Sequence, residues 1–400
     1  MARPPKPQGV LPHVETGVDR PTLDAVFDHL TSYPEGFTPH PKLARQFDSR
    51  AKLYHEQGQL EWATAEALAF GSLLAEEPRS GSPARTVVAA PSPGASRGVG
   101  GLRDQDALDP ARRDRGGRRG SGCTTRCCPS TPPSATSMAT ASQNQDTLVL
   151  WEAQFNDHDQ RQIIIDQYLV RGRGQVGHRC GVVMLLPHGY EVQGRSTPAP
   201  GSRRFMTLCA EDNIQVASAT TAAQYFHLLR RQMKRQVRRP LVIFTPKAPL
   251  RMKESRSAVD DLTRGHFEEV LDDPNVADRS TITRVVFCSG KVCWDAMSER
   301  DARNAPVAVV RVEQLYPFPY EQMLEVLRRY PNAREVVWLQ EEPENMGPWN
   351  FVEHRSWRVK ELGYDFWHVA RVESGSPATG SKTIHDQELS DLMDATFAPR

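Results

Sequence analysis

The chain has 400 residues, with 50 Lys and Arg against 49 Asp and Glu and a formal charge of +1. That length exceeds what one hydrophobic core usually covers, and the balanced charge gives no reason to expect dedicated nucleic-acid binding. Apolar runs such as Val307–Val310 are far shorter than the roughly 20 residues of a membrane-spanning helix, so no membrane association is expected. The start, MARPPKPQGV, has no apolar secretory stretch, and seven irregularly spaced cysteines do not form a disulfide framework; a cytoplasmic protein is expected.

In chain order, Pro21 to Leu30 and Pro41 to Tyr54 read as short helices. EWATAEALAFGSLL (61–74) is a strong helical stretch, with Ala and Leu at helical spacing. Residues 77–143 break this pattern. All 30 aromatics lie outside the window, as do all lysines and isoleucines, while Arg, Pro, Gly, Ser, Ala and Thr fill it. Such a composition cannot bury enough apolar surface to offset the entropy of ordering, so disorder is expected there. Cys123, Cys127 and Cys128 fall inside the window, but no second Cys or His pair at ligand spacing accompanies them, and a zinc site is not favoured.

From 147 onward, β-rich runs alternate with helical ones. TLVLWEAQF (147–155) is a buried strand and QIIIDQYLV (162–170) a helix packed on it. GVVMLLPHG (181–189) is the next strand, its loop leaving at His188, which is the one histidine singled out as a candidate active-site group. QVASATT (215–221) leads into a helix over 222–237 with Thr220 or Thr221 as its N-cap, and PLVIFTP (240–246) is another strand, followed by a helix around His266 to Leu271. A second series follows: strand 283–290, helix Trp294 to Arg303, strand 307–319, helix Tyr320 to Tyr330 and strand 334–345. This alternation implies α/β architecture, two doubly wound domains with largely parallel sheets, and a boundary near 250–280.

Several chemical signatures fail. GSPATGSKT (375–383) nearly matches a phosphate loop, but Ser381 intrudes before the lysine and no strand is expected ahead of it. No GxGxxG opens a helix, no GxSxG forms a nucleophile elbow between an expected strand and helix, and HExxH is absent. Arg230, Arg231, Lys234, Arg235, Arg238 and Arg239 concentrate positive charge at a helix end. A solvated face is the preferred reading, with a phosphorylated effector or acidic partner as the functional one. Glu341, Glu342 and Glu344 crowd a strand end, where helix capping or a subunit contact is favoured over metal binding.

The strings GVLPHVETGV, EGFTPHPKLARQF, EWATAEALAFGSLL, LVLWEAQF, LLPHGYE, QYFHLLRRQ, VRVEQLYPFP and QEEPENMGPWNF, in this order, resemble the C-terminal third of the first, decarboxylating component of 2-oxoglutarate dehydrogenases. The resemblance implies an N-terminal linker with short helices (1–58), a transketolase-like pyrimidine-binding domain (59–255) and a C-terminal α/β domain (256–400). It implies thiamine diphosphate and Mg2+ as cofactors, a homodimer, a 2-oxo acid substrate and a lipoyl-bearing succinyltransferase partner in the citric acid cycle. Phe155 matches the family's aromatic that stacks on the cofactor's pyrimidine, and Gln162 lies where a neighbouring polar contact would be. The family's diphosphate-binding GDG…N motif does not occur here, so the full cofactor site is not expected within this chain.

The family's catalytic glutamate belongs to a segment like SLLSEYAALGFEYGYS, and this chain has CCPSTPPSATSMATASQ at that point. GC-rich codons for SGCTTRCCPSTPPSATSMATASQ, read in another frame, give GVYDSLLSEYAALGYEYGYSVA. The glutamate codon would then straddle Pro129 and Ser130. A second slip accounts for GRSTPAPGSRRF (194–205), where a family histidine would straddle Ser196 and Thr197, and NDHDQRQ (156–162) is a third irregularity. Loss of an acid–base partner usually costs ~10²–10⁴ in rate, so the expectation is an enzyme by family that is inactive as this polypeptide. The alternatives are a non-catalytic dimerisation or effector-binding module, and a free decarboxylase or carboligase. Resequencing the coding DNA is expected to show that, within each of the two segments, a single change of frame restores the family string; a gene in which no such change does so removes the frameshift account.

Overall fold

The computed structural model describes residues 12–33, 36–76, 86–91, 122–125, 147–152, 162–170, 180–186, 190, 202–236, 238–376 and 378–399. Asp19 opens helix α1 (Arg20–Thr31) by accepting from the Thr22 amide at 3.0 Å, with Pro21 in the first turn. Leu23 and Phe27, one turn apart, face inward, and Phe27 stacks on Tyr54 with ring centroids 4.0 Å apart. Helix α2 (Pro41–Ala51) runs on into a π-helical turn, Lys52–Glu56, that carries Tyr54. A short ladder of β1 (Gln59–Leu60) follows, then helix α3 (Trp62–Ala75), which buries Trp62, Ala65, Leu68, Ala69 and Leu73.

The first sheet is built from β2 (Thr86–Pro91), β3 (Gly122–Thr125), β4 (Thr147–Glu152), β5 (Val183–Leu186), β6 (Gln215–Ala217) and β7 (Leu241–Phe244), all parallel, in the order β6-β7-β5-β4-β2-β3. Two of these strands come from the 77–143 window, in which disorder was expected; the rest of that window lies outside the described residues. Between the strands run α4 (Gln162–Ile164), with its π-helical continuation Ile165–Leu169, α5 (Ser202–Leu208) and α6 (Ala222–Lys234). Thr221 is the cap of α6, its hydroxyl oxygen accepting from the Gln224 amide at 3.3 Å. Buried β4, β5 and β7 read as continuous apolar runs, as strands covered on both faces do.

Strand β8 (Ser257–Ala258) pairs antiparallel with β1. The second sheet has the order β14-β13-β10-β11-β9, with β9 (Val270–Leu271), β10 (Arg284–Cys288), β11 (Val307–Val312), β13 (Glu335–Pro343) and β14 (Asp365–Arg371). All of its pairs are parallel except β9 against β11. Helices α7 (Val292–Arg303), α8 (Tyr320–Arg328), α9 (Trp349–Glu353), α10 (Trp357–Glu361) and α11 (Lys382–Phe397) complete this unit. No described helix is long and apolar enough to cross a membrane.

Three expectations are corrected. The stretch 307–319 is not one strand: it breaks at Glu313, and β12 (Gln314–Tyr316) leaves the second sheet to pair antiparallel with β6 of the first. Residues 266–271 are not a helix. Phe267 is buried under the Arg231 guanidinium, 4.2 Å from its ring centroid, and Val270 pairs with Val312, so side-chain burial and ladder bonds override local helical preference. A strand does precede GSPATGSKT, since β14 leads into this loop and α11 follows it. Ser381 still displaces the lysine, whose Nζ is engaged by Asp386.

The N-terminal segment is laced to the start of the second unit through Thr16 N to Gly265 O and Val18 N to Leu262 O. Between those bonds, a Cβ on Gly17 would stand 2.6 Å from the Thr263 carbonyl oxygen, a backbone atom that cannot swing aside. Gly17→Ala is therefore expected to cost about 1–3 kcal/mol in urea unfolding. Gly375→Ala, which meets nothing within 4 Å, serves as the silent control.

Candidate functional site

Open parallel sheets place ligands at the carboxyl ends of their strands. In the first sheet that edge carries Glu152, the last residue of β4, and the first turn of α6, which follows β6. Tyr225 in that turn is buried, stacks on Trp62 at 4.6 Å, and donates its hydroxyl to Glu66 Oε1 at 2.6 Å. Burial pushes the Glu66 carboxyl up to about 6, the tyrosine bond opposes this, and the nearby Glu152 charge adds to it. Glu152 is itself raised by burial. A carboxyl group poised near neutrality therefore stands at the sheet's carboxyl edge.

Gln162 begins α4 at the same edge, following β4 in sequence. Its Nε2 donates to both oxygens of Asp166, at 2.6 and 2.5 Å, while its Oε1 is buried without a hydrogen-bond partner. Phe155, His188, and the positions Pro129/Ser130 and Ser196/Thr197 lie outside the described residues.

The arginine run is not a solvated face, which corrects the reading preferred from sequence. Arg230 is fully buried, donating to Thr16 O and Ser72 Oγ at 2.8 Å each and to Glu76 at 2.5 Å. Arg231 is paired with Glu269 at 2.9 Å and donates to Gln314 Oε1 at 2.7 Å. Arg235 donates to Gln215 Oε1 at 2.9 Å, and Arg239 to Asp212 O. Lys234, partly exposed, pairs with Glu76 at 2.7 Å. Burial pulls Arg231 down to about 9, Arg235 pushing the same way and Glu269 opposing, and it pulls Arg235 down to about 10 against Glu269. These side chains bolt α6 to α3, to the N-terminal segment and to the second unit, and they present no charge cluster for an effector. The helical pattern did not reveal this, since Tyr225, Phe226, Leu228, Leu229 and Met233 gather on one side of the helix and leave the arginines on the other, as a solvated face would have them.

A residue that the sequence reading passed over is Glu313, fully buried at the point where the chain crosses between sheets. It accepts from the Thr220 amide at 2.8 Å and from the Thr220 hydroxyl, and its own carbonyl accepts from Ser218 N at 2.8 Å. Arg311 donates to the same hydroxyl at 3.2 Å. Burial pushes Glu313 up to about 7, against the pull of Arg311 and the Thr220 bonds. The sequence signal was a cluster of polar residues, Arg311, Glu313 and Gln314, inside a mostly apolar strand run.

At the carboxyl end of the second sheet, Glu341 is buried 3.4 Å from Lys291 Nζ, which also pairs with Asp295 at 2.7 Å, and Glu344 lies 3.4 Å from His368. Glu341 thus serves as an ion-pair partner and Glu344 as a neighbour of the His368 ring, rather than as helix caps. No group of three His, Cys, Asp or Glu residues able to hold a metal occurs among the described residues. Two cavities, of about 410 and 470 Å³, open at the opposite, amino end of this sheet around Asp278, Arg300, Arg284 and Arg334, far along the strands from these groups.

Two family models match the chain: the pyrimidine-binding domain of transketolase over residues 134–253, and the C-terminal domain of 2-oxoglutarate dehydrogenase over 256–397. Among similar proteins is the 2-oxoglutarate dehydrogenase E1 component of Cupriavidus necator, 37% identical over 96% of this chain and 41% of the relative. The proteins of the same name from Geobacillus kaustophilus and Bacillus subtilis are 36% and 35% identical, covering 98% and 96% of this chain and 42% and 41% of theirs. The chain thus spans about two fifths of the length of the curated relatives it matches.

Glu313 carries a pH dependence whose sign follows from its raised native value. Its contribution to stability is complete below its ordinary value of 4.5 and is lost as pH rises through about 7, by at most about 3 kcal/mol. Glu66 acts in the same direction. His227, whose ring is bonded to Thr16 Oγ1 and Asp261 O and is pulled down to about 4 by burial, acts oppositely, losing its contribution as pH falls from 6.5 through 4. Urea unfolding of Glu313→Gln at pH 5.5 and 8 is expected to show a smaller drop between the two than the unsubstituted chain; an equal drop removes Glu313 as its source.

Proposed function

Because the chain belongs to the family of the 2-oxoglutarate dehydrogenase E1 component, of which it corresponds to the C-terminal part, we propose that it supplies the pyrimidine-binding half of a thiamine diphosphate site together with the C-terminal domain, and that alone it does not turn over 2-oxoglutarate. The division proposed is 59–255 for the first domain and 256–400 for the second. The observation carrying the inactive reading is that Pro129 and Ser130, where the resemblance puts the catalytic glutamate, fall outside both matched models, as does all of 77–133.

The residues present fit the aminopyrimidine end of the cofactor. Gln162 Oε1 is a buried acceptor with no donor, on the carboxyl edge where the sheet would receive a ring. Phe155 would stack on that ring, and His188, at the exit of β5, would face the 2-oxo acid. When bound, thiamine diphosphate supplies the carbon nucleophile and electron sink for decarboxylation. This chain's own part would be to orient the ring through Gln162 and Phe155, and to exclude water with the apolar strands behind them. The described residues do not fit Mg2+, and no step is assigned to it. In the whole component, the proposed setting is a cytoplasmic homodimer that passes a succinyl group to a lipoyl-bearing succinyltransferase.

The rival reading, an effector held by Arg230, Arg231, Lys234 and Arg235, has lost its basis, because those side chains are already engaged inside the protein. Purified chain is expected to give no thiamine diphosphate-dependent CO₂ release from 2-oxoglutarate. A version carrying both restored family strings, co-expressed with a fragment bearing the diphosphate-binding domain, is expected to regain it. Turnover by the unrepaired chain alone at an ordinary enzymatic rate would overturn the proposal.

A further inference from the structure

The pair formed by Gln162 and Asp166 holds more information than either residue alone. They sit four residues apart, where α4 passes into a π-helical turn closed by Val170 N to Ile165 O at 3.0 Å. Ile165 and Leu169 of the same turn are buried in the core and fix its rotation against the sheet. An ionised carboxylate accepts and cannot donate, so Asp166 admits only one orientation of the Gln162 amide, with its NH₂ toward the two carboxylate oxygens. The amide oxygen is thereby turned the other way, into a buried position with no donor. A free rotation of the amide would let Nε2 or Oε1 serve there equally; the carboxylate removes that choice.

We propose that Asp166 is a positioning residue that presents Gln162 Oε1 as an acceptor for the exocyclic amino group of an aminopyrimidine, making the site discriminate amino from oxo substituents on the ring. The proposal rests on the reading of this unit as pyrimidine-binding and adds to it which atom reads the ring and what fixes that atom. No covalent step is involved.

The test uses the full chain and two probes at millimolar concentration: thiamine, and oxythiamine, in which the ring amino group is replaced by oxygen. Binding is followed by saturation transfer and by the ¹⁵N–¹H signals of the Gln162 amide, which are identified by their loss in Gln162→Asn. A hydrogen bond of ordinary net strength predicts that thiamine binds about five- to tenfold more tightly than oxythiamine. In Asp166→Asn, whose own amide can present either N–H or oxygen to Gln162, that ratio is expected to fall toward one while circular dichroism and the melting profile hold. Asp166→Glu, which keeps the carboxylate, is expected to restore part of the ratio. A merely structural Asp166 would weaken both probes alike and leave the ratio unchanged, and that result overturns the proposal. If the unsubstituted chain binds both probes equally, the assignment of Gln162 falls and the pyrimidine-binding reading stands; if it binds neither, both fall.

Discussion

The bond between the Glu313 carboxylate and Thr220 is the constraint on which the rest of the architecture hangs. It stands where the chain leaves the second sheet at Val312 and enters the first at Gln314, and it holds the amide and hydroxyl next to the cap of α6. A buried carboxylate is expensive to desolvate, and this one is tolerated because two donors from Thr220 meet it and the charge of Arg311, whose guanidinium is bonded to the Thr220 hydroxyl, favours it. With that junction fixed, β12 can close the edge of the first sheet, α6 is set at its height above the strands, and Tyr225 is delivered to Glu66.

The arginines of α6 continue the same logic further down the helix. Each guanidinium reaches a different neighbour: Arg230 the N-terminal segment and α3, Arg231 Glu269 and Gln314, Arg235 Gln215. Planar, multidentate donors suit such a task, since one side chain can satisfy several carbonyl and amide acceptors at once. Buried ion pairs of this kind fix geometry more surely than they add stability, because desolvation consumes much of the Coulombic gain. The two sheets are accordingly tied by specific polar bonds as well as by apolar packing.

Much of this was legible in the residues. The alternation of apolar strand runs with helical ones gave the parallel sheets, and Thr221 marks a helix cap by chemistry that acts over three or four residues. What sequence could not disclose is set by distant partners. The turn at Glu313 depends on Thr220, which lies 93 residues away, and the extended path of 266–271 depends on Arg231 and on β11. The arginine run was misread because charge looks solvated until its acceptors are known. Of the candidate site, Gln162 could be singled out from sequence, but its orphaned oxygen and its Asp166 partner emerge only from three-dimensional geometry.

The excursion of β12 into the first sheet also dictates an order of assembly. β6 waits for an edge partner that leaves the ribosome only after most of the second unit's early strands, so the first sheet cannot be finished as an independent module during synthesis. Truncations that stop between the two matched domains would leave β6 with an open backbone edge, a surface suited to pairing with other chains. The two units are therefore better regarded as a single cooperative folding body than as beads on a string.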